Sequence, residues 1–231
     1  MTSPAVMAHL WGPYACFTRP EFKVERVSYP VITPSAARGA LEAIYWHPEF
    51  RYEIRRIGVV KLGTEAVILR NEVDARMGRQ PFDIESHRQQ RSSLVLQNVE
   101  YLIGADLVLQ PHADAPLAKY LSQIERRLAR GQCHHTPYLG CREFAASFAA
   151  AGGIGVDGSL TRDLGLMLFD LAYVPSSTRA EFSFRVHGTA GARETEGYAE
   201  ALFFKAQLTN GWIEVPRELY AARRGKEGGG V

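Results

Sequence analysis

The chain of 231 residues is 46% hydrophobic and 23% charged, and its net charge of +2 does not by itself indicate a nucleic-acid-binding protein. Its apolar runs are shorter than the roughly 18 residues of a membrane-spanning helix, and its N-terminus has no secretory h-region. Three cysteines do not make a disulfide framework, so we expect a cytoplasmic protein.

The N-terminal part predicts strands alternating with helices. Apolar and aromatic residues over Val6–Phe17 indicate a first strand. Thr33 is a typical N-cap before Pro34, and apolar residues follow at helical spacing until Pro48, which predicts a first helix. Arg51–Gly63 contains a β-branched run and indicates a second strand.

The next segment predicts a hairpin, a helix and a closing strand. Arg91–Leu109 has two strand-like halves, which indicates the hairpin. Pro116–Arg130 has helical periodicity and stops at Gly131, a typical C-terminal glycine, and Cys141–Phe148 indicates the last strand. This order predicts an α+β protein with a ferredoxin-like domain, the topology of RNA-recognition motifs, over residues 1–150.

The remaining sequence predicts a second, smaller unit. A glycine-rich stretch at residues 152–155 marks the boundary, and residues 151–225 predict a small antiparallel β-sheet with a hairpin turn at Asn210-Gly211. Its predicted strands are Leu164–Val174, Ala180–His187, Tyr198–Leu208 and Trp212–Val215. Residues 226–231 are expected to form a flexible tail.

The second predicted helix separates apolar from basic side chains. Its apolar stripe consists of Leu117, Leu121, Ile124 and Leu128. Its opposite face carries Lys119, Arg126 and Arg130. Neighbouring like charges destabilise an isolated helix slightly, whereas a polyanion lying along this face would turn the repulsion into attraction. A solvated helix face without any ligand is the alternative interpretation.

The end of the first predicted helix carries a tyrosine that could take part in RNA chemistry. Arg38, Glu42 and Tyr45 lie beside its apolar stripe. A tyrosine at such a position is more typical of packing at the edge of a core. Tyr45 could act on a ribose 2′-hydroxyl only if a nearby cation lowered its pKa or if it oriented the nucleophile.

The loop that follows the second helix combines cysteines with histidines. It contains Cys133, His134, His135 and Cys141, whose spacing fits no standard zinc site, so a zinc-dependent interaction domain stays an alternative. Exposed histidines in a glycine-bounded loop suit contacts with RNA bases or phosphates, and a purely structural connection is the simplest interpretation.

The motifs of most metal- and cofactor-dependent enzymes are absent. The sequence has no Walker P-loop, no dinucleotide fingerprint, no Gly-x-Ser-x-Gly elbow and no dense carboxylate cluster. No cofactor or metal is therefore predicted. A nuclease of this kind would have to use the 2′-hydroxyl of RNA as its nucleophile.

Several motifs in the first 150 residues follow one another in the order of a known family. They are Trp11–Glu21, Val24–Pro30, Thr33–Gly39, Glu42–Pro48, Arg70–Val73, Gly131–Cys133 and Pro137–Phe144. They resemble the CRISPR-associated protein five family, subtype I-C (the Dvulg subtype). The resemblance weakens in the C-terminal unit.

The resemblance implies a fold, an activity and partners. Such proteins have a ferredoxin-like domain and a small C-terminal sheet. They cut CRISPR repeat RNA without metal, by 2′-hydroxyl attack that leaves a cyclic phosphate and a 5′-hydroxyl. They then stay on the 5′ handle of the guide RNA, beside the backbone and large subunits of the surveillance complex.

The resemblance also implies site residues. The family's catalytic tyrosine corresponds to Tyr45 and its catalytic lysine to Lys119, whereas its usual histidine is replaced by Tyr120. Either Tyr120 or a loop histidine would then take the place of the imidazole, or the protein is a scaffold that holds the RNA handle without cutting it. The expected RNA ligands are Arg38, Arg126, Arg130, His134, His135 and Arg142. A buried ion pair with Glu143 is the alternative for Arg142.

Overall fold

The computed structural model describes residues 3–22, 24–189 and 191–228. Its helices are α1 (Pro34–Ile44), α2 (Leu117–Arg130) and α3 (Glu218–Gly228). Its strands are β1 (Val6–Ala15), β2 (Arg26–Val27), β3 (Phe50–Lys61), β4 (Thr64–Val73), β5 (Arg88–Leu109), β6 (Ser147–Ala150), β7 (Arg162–Pro175), β8 (Phe182–Gly188), β9 (Gly191–Thr209) and β10 (Trp212–Glu214). The prediction of an α+β protein is confirmed.

All strands in the described part of the chain belong to one ten-stranded, mostly antiparallel sheet. Its main path runs β6-β1-β5-β3-β10-β9-β7, while β2 and β4 pair with β5 and β8 pairs with β9. The short β10 is hydrogen-bonded to β3 on one side and to β9 on the other. The strands after residue 151 therefore extend the N-terminal sheet instead of forming a separate one.

The hairpin predicted over Arg91–Leu109 is wrong, because one 22-residue strand, β5, covers this segment. Asn98 interrupts the strand with a φ of 56°, a left-handed conformation that asparagine tolerates. Residues before Asn98 pair with β4 and residues after Val99 pair with β3. The two strand-like halves are thus parts of one long strand with an irregularity at Asn98. The sequence pattern does not predict β4.

The two N-terminal helices begin and end close to their predicted bounds. The Thr33 side chain accepts a hydrogen bond from the Ala36 N–H at 3.2 Å, and α1 ends at Ile44, before Pro48. The α2 helix ends at Gly131, whose φ of 63° suits glycine. No helix in the described ranges is both long and apolar enough to cross a bilayer.

The C-terminal part contains a helix that the sequence pattern does not predict. The Asn210-Gly211 turn and the four predicted strands are present, with β9 beginning earlier than expected. The α3 helix buries Tyr220, whose hydroxyl accepts from the Ile54 N–H at 2.6 Å and donates to the Ile54 carbonyl at 3.1 Å. It includes residues 226–228 of the predicted tail, and residues 229–231 lie outside the described residues.

The strand predicted over Cys141–Phe148 is displaced. Only Ser147–Ala150 forms a strand, which pairs with β1 at the edge of the sheet. Upstream of it, the Leu139 N–H donates to the Phe144 carbonyl at 2.8 Å, which closes a tight loop. The apolar residues at 144–146 therefore pack in this loop and not in a ladder.

Candidate active site

The C-terminal end of α1 forms one wall of the candidate active site. Tyr45 follows the helix directly, and its backbone N–H donates to the Leu41 carbonyl at 2.9 Å. Its own carbonyl accepts from the Tyr52 hydroxyl at 2.9 Å, and its ring packs on Phe50 with 5.4 Å between the centroids. These contacts fix the half-buried phenol at the edge of the core.

Arg127 joins α2 to this wall, and sequence reasoning missed it. Its guanidinium donates to the Ile44 carbonyl at 2.8 Å and lies 5.1 Å from the centre of the Tyr45 ring. Burial raises the pKa of Tyr45, and the opposing effect of Arg127 does not cancel this rise. The phenol therefore stays protonated near neutral pH, so it can orient a nucleophile but is a poor base.

Tyr120, the possible substitute for the family's histidine, is buried. It lies on the packing face of α2 together with Ile124 and Leu128, and only 1% of its surface is exposed. Its hydroxyl donates a hydrogen bond to Glu49. Tyr120 therefore cannot touch a bound RNA directly in this conformation, although it can hold Glu49 in place.

The same carboxylate contacts a histidine that the sequence analysis did not select. The Nδ1 atom of His47 lies 3.1 Å from Oε2 of Glu49, and the His47 side chain is 48% exposed. The His47 and Tyr120 rings are 6.0 Å apart. His47 belongs to the family-like motif Glu42–Pro48, so the motif itself was the available signal.

Lys119 stands at the open side of this cluster. Its ammonium is exposed and lies 5.8 Å from the centre of the Tyr120 ring. Phe50 packs on Tyr120 at 5.3 Å as well as on Tyr45. Lys119 and Tyr45 thus belong to one aromatic cluster at the start of α2 and the end of α1.

The outer face of α2 carries the predicted basic side chains. Lys119, Arg126 and Arg130 are all exposed. Arg126 donates to the Gln123 side chain at 2.7 Å, and no carboxylate within the described ranges forms an ion pair with any of the three. The face therefore presents uncompensated positive charge to the solvent.

The loop after α2 caps the end of α1. The His134 N–H donates to the carbonyls of Ala43 and Ile44 at 3.0 and 3.2 Å, and the His135 N–H donates to Ala43 at 3.2 Å. These bonds satisfy carbonyls that lack partners at a helix C-terminus. Both imidazoles remain exposed, so the loop brings them beside the residue that precedes Tyr45.

Comparison with known proteins identifies the family of this fold. The family model described as CRISPR-associated protein Cas5, in its Cas5d form, matches residues 5–216. A curated relative from Thermus thermophilus, named CRISPR pre-crRNA endoribonuclease Cas5d, is 62% identical over 211 residues, which cover 91% of each chain. The chain belongs to the Cas5d family.

Two further relatives agree with this assignment of the Cas5d chain. A protein of the same name from Mannheimia succiniciproducens is 37% identical over 234 residues, covering 91% of this chain and 94% of the relative. A solved structure of a CRISPR-associated protein matches with a TM-score of 0.62 at 21% identity, covering 93% and 92% of the two chains. The latter shows a shared fold.

The cysteines and histidines of the Cas5d loop do not converge on a metal site. Cys133 is exposed, whereas Cys141 is buried beside Cys16 and accepts from the Arg26 guanidinium at 3.2 Å. The thiol hydrogen bond from Cys16, followed by the charge of Arg26, lowers the pKa of Cys141 to about 6. No group of three metal-binding side chains occurs in the part of the chain that the structure describes.

Arg38 is paired with carboxylates at the wall of a cavity, and its expected role as an RNA ligand stays a prediction. Its guanidinium makes two 2.9 Å hydrogen bonds to Asp170 in β7 and one of 2.7 Å to Glu42. All of its charge is therefore engaged inside the Cas5d fold, where it ties α1 to the C-terminal strands.

Arg142 has a different environment from the buried pair considered for it. It is exposed, and Glu143 pairs instead with Arg26 at 3.3 Å. Arg142 thus remains available for a ligand next to the loop of His134 and His135.

Proposed function

We propose that this Cas5d protein is a metal-independent endoribonuclease that cuts CRISPR repeat RNA within the precursor transcript. The support is the identity of 62% and 37% to proteins named CRISPR pre-crRNA endoribonuclease Cas5d, over about nine-tenths of the chain. The observation that carries the proposal at atomic level is the meeting of the Lys119 and Tyr45 regions at one aromatic cluster.

Each of these two residues has a distinct chemical role in the proposal. The ammonium of Lys119 stabilises negative charge that develops on the phosphate oxygens as the 2′-oxygen attacks. Tyr45 orients the 2′-hydroxyl through its protonated phenol, because its pKa is raised by burial. Tyr120 acts indirectly, by positioning Glu49 through a hydrogen bond.

The RNA lies along the outer face of α2 and the following loop in this proposal. Arg126 and Arg130 contact phosphates, with Arg142 at the far end of the loop. The exposed imidazoles of His134 and His135 contact bases or phosphates beside the cut. Arg38, which is paired with Asp170 and Glu42, stays a predicted RNA ligand.

The fold supports the same proposal. The element order β1, α1, β3, β5, α2, β6 and the sheet order β6-β1-β5-β3 are those of a ferredoxin-like domain, and we infer that this part of the sheet is one. After cutting, the protein keeps the 5′ handle of the guide RNA in the cytoplasm. There it occupies one end of a type I-C surveillance complex, beside the backbone and large subunits.

Incubation of the purified protein with its own repeat RNA in EDTA tests the activity. One cut within the repeat, with a cyclic phosphate on one product and a 5′-hydroxyl on the other, is the expected result. Many cuts, or a cut only when a divalent metal is added, would contradict the proposal.

A Lys119→Ala variant tests the assignment of the lysine. Loss of one preorganised charge at a transition state typically costs about 10²–10³ in rate, so cleavage should slow by about that factor. Lys205→Ala, which removes an exposed lysine from β9, is the matched control and should cut normally. Equal rates for Lys119→Ala and wild type would remove Lys119 from the mechanism.

A second candidate function is a scaffold that binds the 5′ handle without cutting it. The observation that favours it is Tyr120, which stands where the family usually has a histidine and is buried. Tight binding of the repeat RNA with no cleavage product, at any pH between about 5 and 9, would establish this alternative.

A further inference from the structure

We propose that His47 is the general base of the cleavage reaction, held in position by Glu49. This inference rests on the proposed function and deepens it, because it names the imidazole that the chain lacks after Lys119. The connector between α1 and β3 brings His47 to the same cluster as Tyr120. The imidazole at the site therefore comes from a segment that precedes Lys119 in the chain, and not from the residue directly after it.

The imidazole of His47 lies within ion-pair distance of Glu49. Nδ1 lies 3.1 Å from Oε2 of the carboxylate, and the His47 ring has no hydrogen bond to any other group in the described ranges. A carboxylate at Nδ1 fixes the tautomer that leaves Nε2 free to accept a proton. Glu49 is itself held by the Tyr120 hydroxyl and is only 11% exposed, so the base has a rigid support.

The two loop histidines lack such a support. His134 and His135 are held only through their backbone N–H groups, and no carboxylate in the described residues pairs with their rings. Their side chains pack against each other, with centroids 5.7 Å apart. They suit RNA contacts better than proton transfer at a fixed point.

The charges around His47 are consistent with a base beside a phosphate. The charged and titratable groups of the elements packed around it are Glu49 on the connector, Lys119, Tyr120 and Arg127 on α2, and Tyr45 at the end of α1. Lys119 and Arg127 supply positive charge for the phosphate, while Glu49 compensates the imidazolium that forms.

In this cleavage step, one phosphorus–oxygen bond replaces another, and His47 carries the proton of the 2′-hydroxyl. The 2′-hydroxyl gives its proton to Nε2 of His47 while its oxygen forms a bond to phosphorus. The bond from phosphorus to the 5′-oxygen breaks, and this oxygen keeps the electron pair and takes a proton from water. The imidazolium then returns its proton to the solvent, leaving a 2′,3′-cyclic phosphate and a 5′-hydroxyl.

Single-turnover cleavage at saturating protein tests the role of His47. General bases typically contribute about 10²–10⁴ in rate, so His47→Ala should slow cleavage by at least about 100-fold while RNA affinity changes little. Added imidazole should restore part of the rate. His87→Ala is the matched control, because His87 is also an exposed histidine at a carboxylate, 2.9 Å from Asp74, and it lies in the β4–β5 connection.

The outcomes separate this inference from the proposed function. If wild type cuts and His47→Ala cuts at the same rate, the inference is overturned and the endoribonuclease proposal stands. If wild type binds but does not cut, both fall. His47→Gln, which keeps polarity and size but cannot take the proton, guards against misfolding and should be as slow as His47→Ala, with an unchanged melting temperature.

A cavity on the other side of the same connector carries a second, independent inference. It measures about 470 Å³ and lies between the α1–β3 connector and the β7–β8 strands. Trp46, Pro48 and Phe50 line it, and Phe50 also packs on Tyr45 and Tyr120 in the active-site cluster. The opposite wall is formed by Tyr173, Phe184, Arg185, Val186 and His187.

We infer that this cavity binds an unpaired nucleobase of the RNA next to the cut. Its volume suits one nucleotide, and aromatic walls with exposed cations are the typical surroundings of unstacked bases. Trp46 is 46% exposed and makes an edge contact with His187 at 5.7 Å, so a π-face is accessible at the entrance. Arg185 is exposed at the same wall and can contact the phosphate.

Tryptophan fluorescence can test this site directly, because the chain has only three tryptophans. A single-stranded repeat fragment should quench the emission of wild type and of a Trp11→Phe control, but not that of Trp46→Phe. Trp46→Ala should weaken RNA binding by about 5- to 100-fold, as expected for one lost stacking contact. Equal quenching in Trp46→Phe and wild type would overturn the inference, whereas absence of any RNA binding would count against the proposed function.

Discussion

At the scale of single residues, Asp170 is a buried carboxylate that pairs with two arginines. It is 2% exposed and accepts from Arg38 in α1 and from Arg223 in α3, the latter at 2.6 Å. Burial alone would raise its pKa, but the two guanidinium groups outweigh that effect and hold the pKa below its usual value. One carboxylate thus joins two helices to β7.

Asp170→Asn should therefore destabilise the protein strongly. Removing one partner of a buried ion pair typically costs about 3–5 kcal/mol, since the remaining charges stay unpaired. Because the folded-state pKa is depressed, this contribution is complete above the unfolded pKa of about 4 and is lost as the pH falls through the folded value. Urea unfolding of both proteins should show a free-energy gap at pH 7 that narrows below about pH 4, while an exposed control, Asp114→Asn, shows no gap.

The raised pKa of Tyr45 leads to a prediction about the rate and pH dependence of cleavage. A phenol that only orients the 2′-hydroxyl should be partly dispensable, so Tyr45→Phe should slow cleavage by about 10-fold. Because burial keeps the phenol protonated, the factor should be constant between pH 6 and about 9. A loss that grows with pH in this range would instead mean that the phenolate is the base.

Some of these side chains can be predicted from the local sequence pattern, whereas others depend on contacts with distant segments. The exposure of Lys119 follows from its helical spacing, and the exposure of the two loop histidines follows from their glycine-bounded loop. The pairing of Arg38 with Asp170 cannot be predicted from the sequence, because Asp170 is 132 positions away in the chain and no local pattern shows such a pair. Arg127 and Glu49 were missed for the same reason, since their importance lies in contacts between elements.

At the scale of elements, the outer face of α2 makes a prediction about salt dependence. Replacing Arg126 and Arg130 together by alanine removes two phosphate contacts in the proposed complex. The slope of log affinity against log salt should then become shallower by about 1.5, with affinity weakened for all RNA sequences alike. Arg162→Ala, at an exposed arginine of β7, is the control and should leave the slope unchanged.

The bounds of the helices α1 and α2 can be predicted from the sequence, whereas the length of the strand β5 cannot. The bounds of α1 and α2 follow from a cap, a proline and a glycine, all of which act locally. The length of β5 depends on four partner strands that share its two edges, and such pairing leaves no local mark beyond the irregular residue Asn98. The α3 helix has a mostly polar sequence, so its formation depends on a few specific contacts.

At the scale of the whole molecule, α3 packs where the N-terminal strands of the sheet meet the C-terminal strands. Tyr220 bonds both backbone groups of Ile54 in β3, Arg223 pairs with Asp170 in β7, and the Tyr220 ring packs on Phe169 at 4.8 Å. Within the sheet, the three-residue β10 lies between β3 and β9 and pairs with both. The helix therefore reinforces a narrow connection between the strands that carry the site and the C-terminal strands.

A chain that ends at Arg217 should consequently lose much of its stability. It leaves the Ile54 N–H without its hydroxyl partner, removes one guanidinium from Asp170 and exposes Phe169, each of which typically costs about 1–3 kcal/mol. Thermal unfolding should show a midpoint well below that of the full chain. Tyr220→Phe isolates the hydrogen-bond component and should lose about 1–2 kcal/mol with the helix retained. Equal midpoints for the truncated and full chains would show that β10 alone holds the two parts of the sheet together.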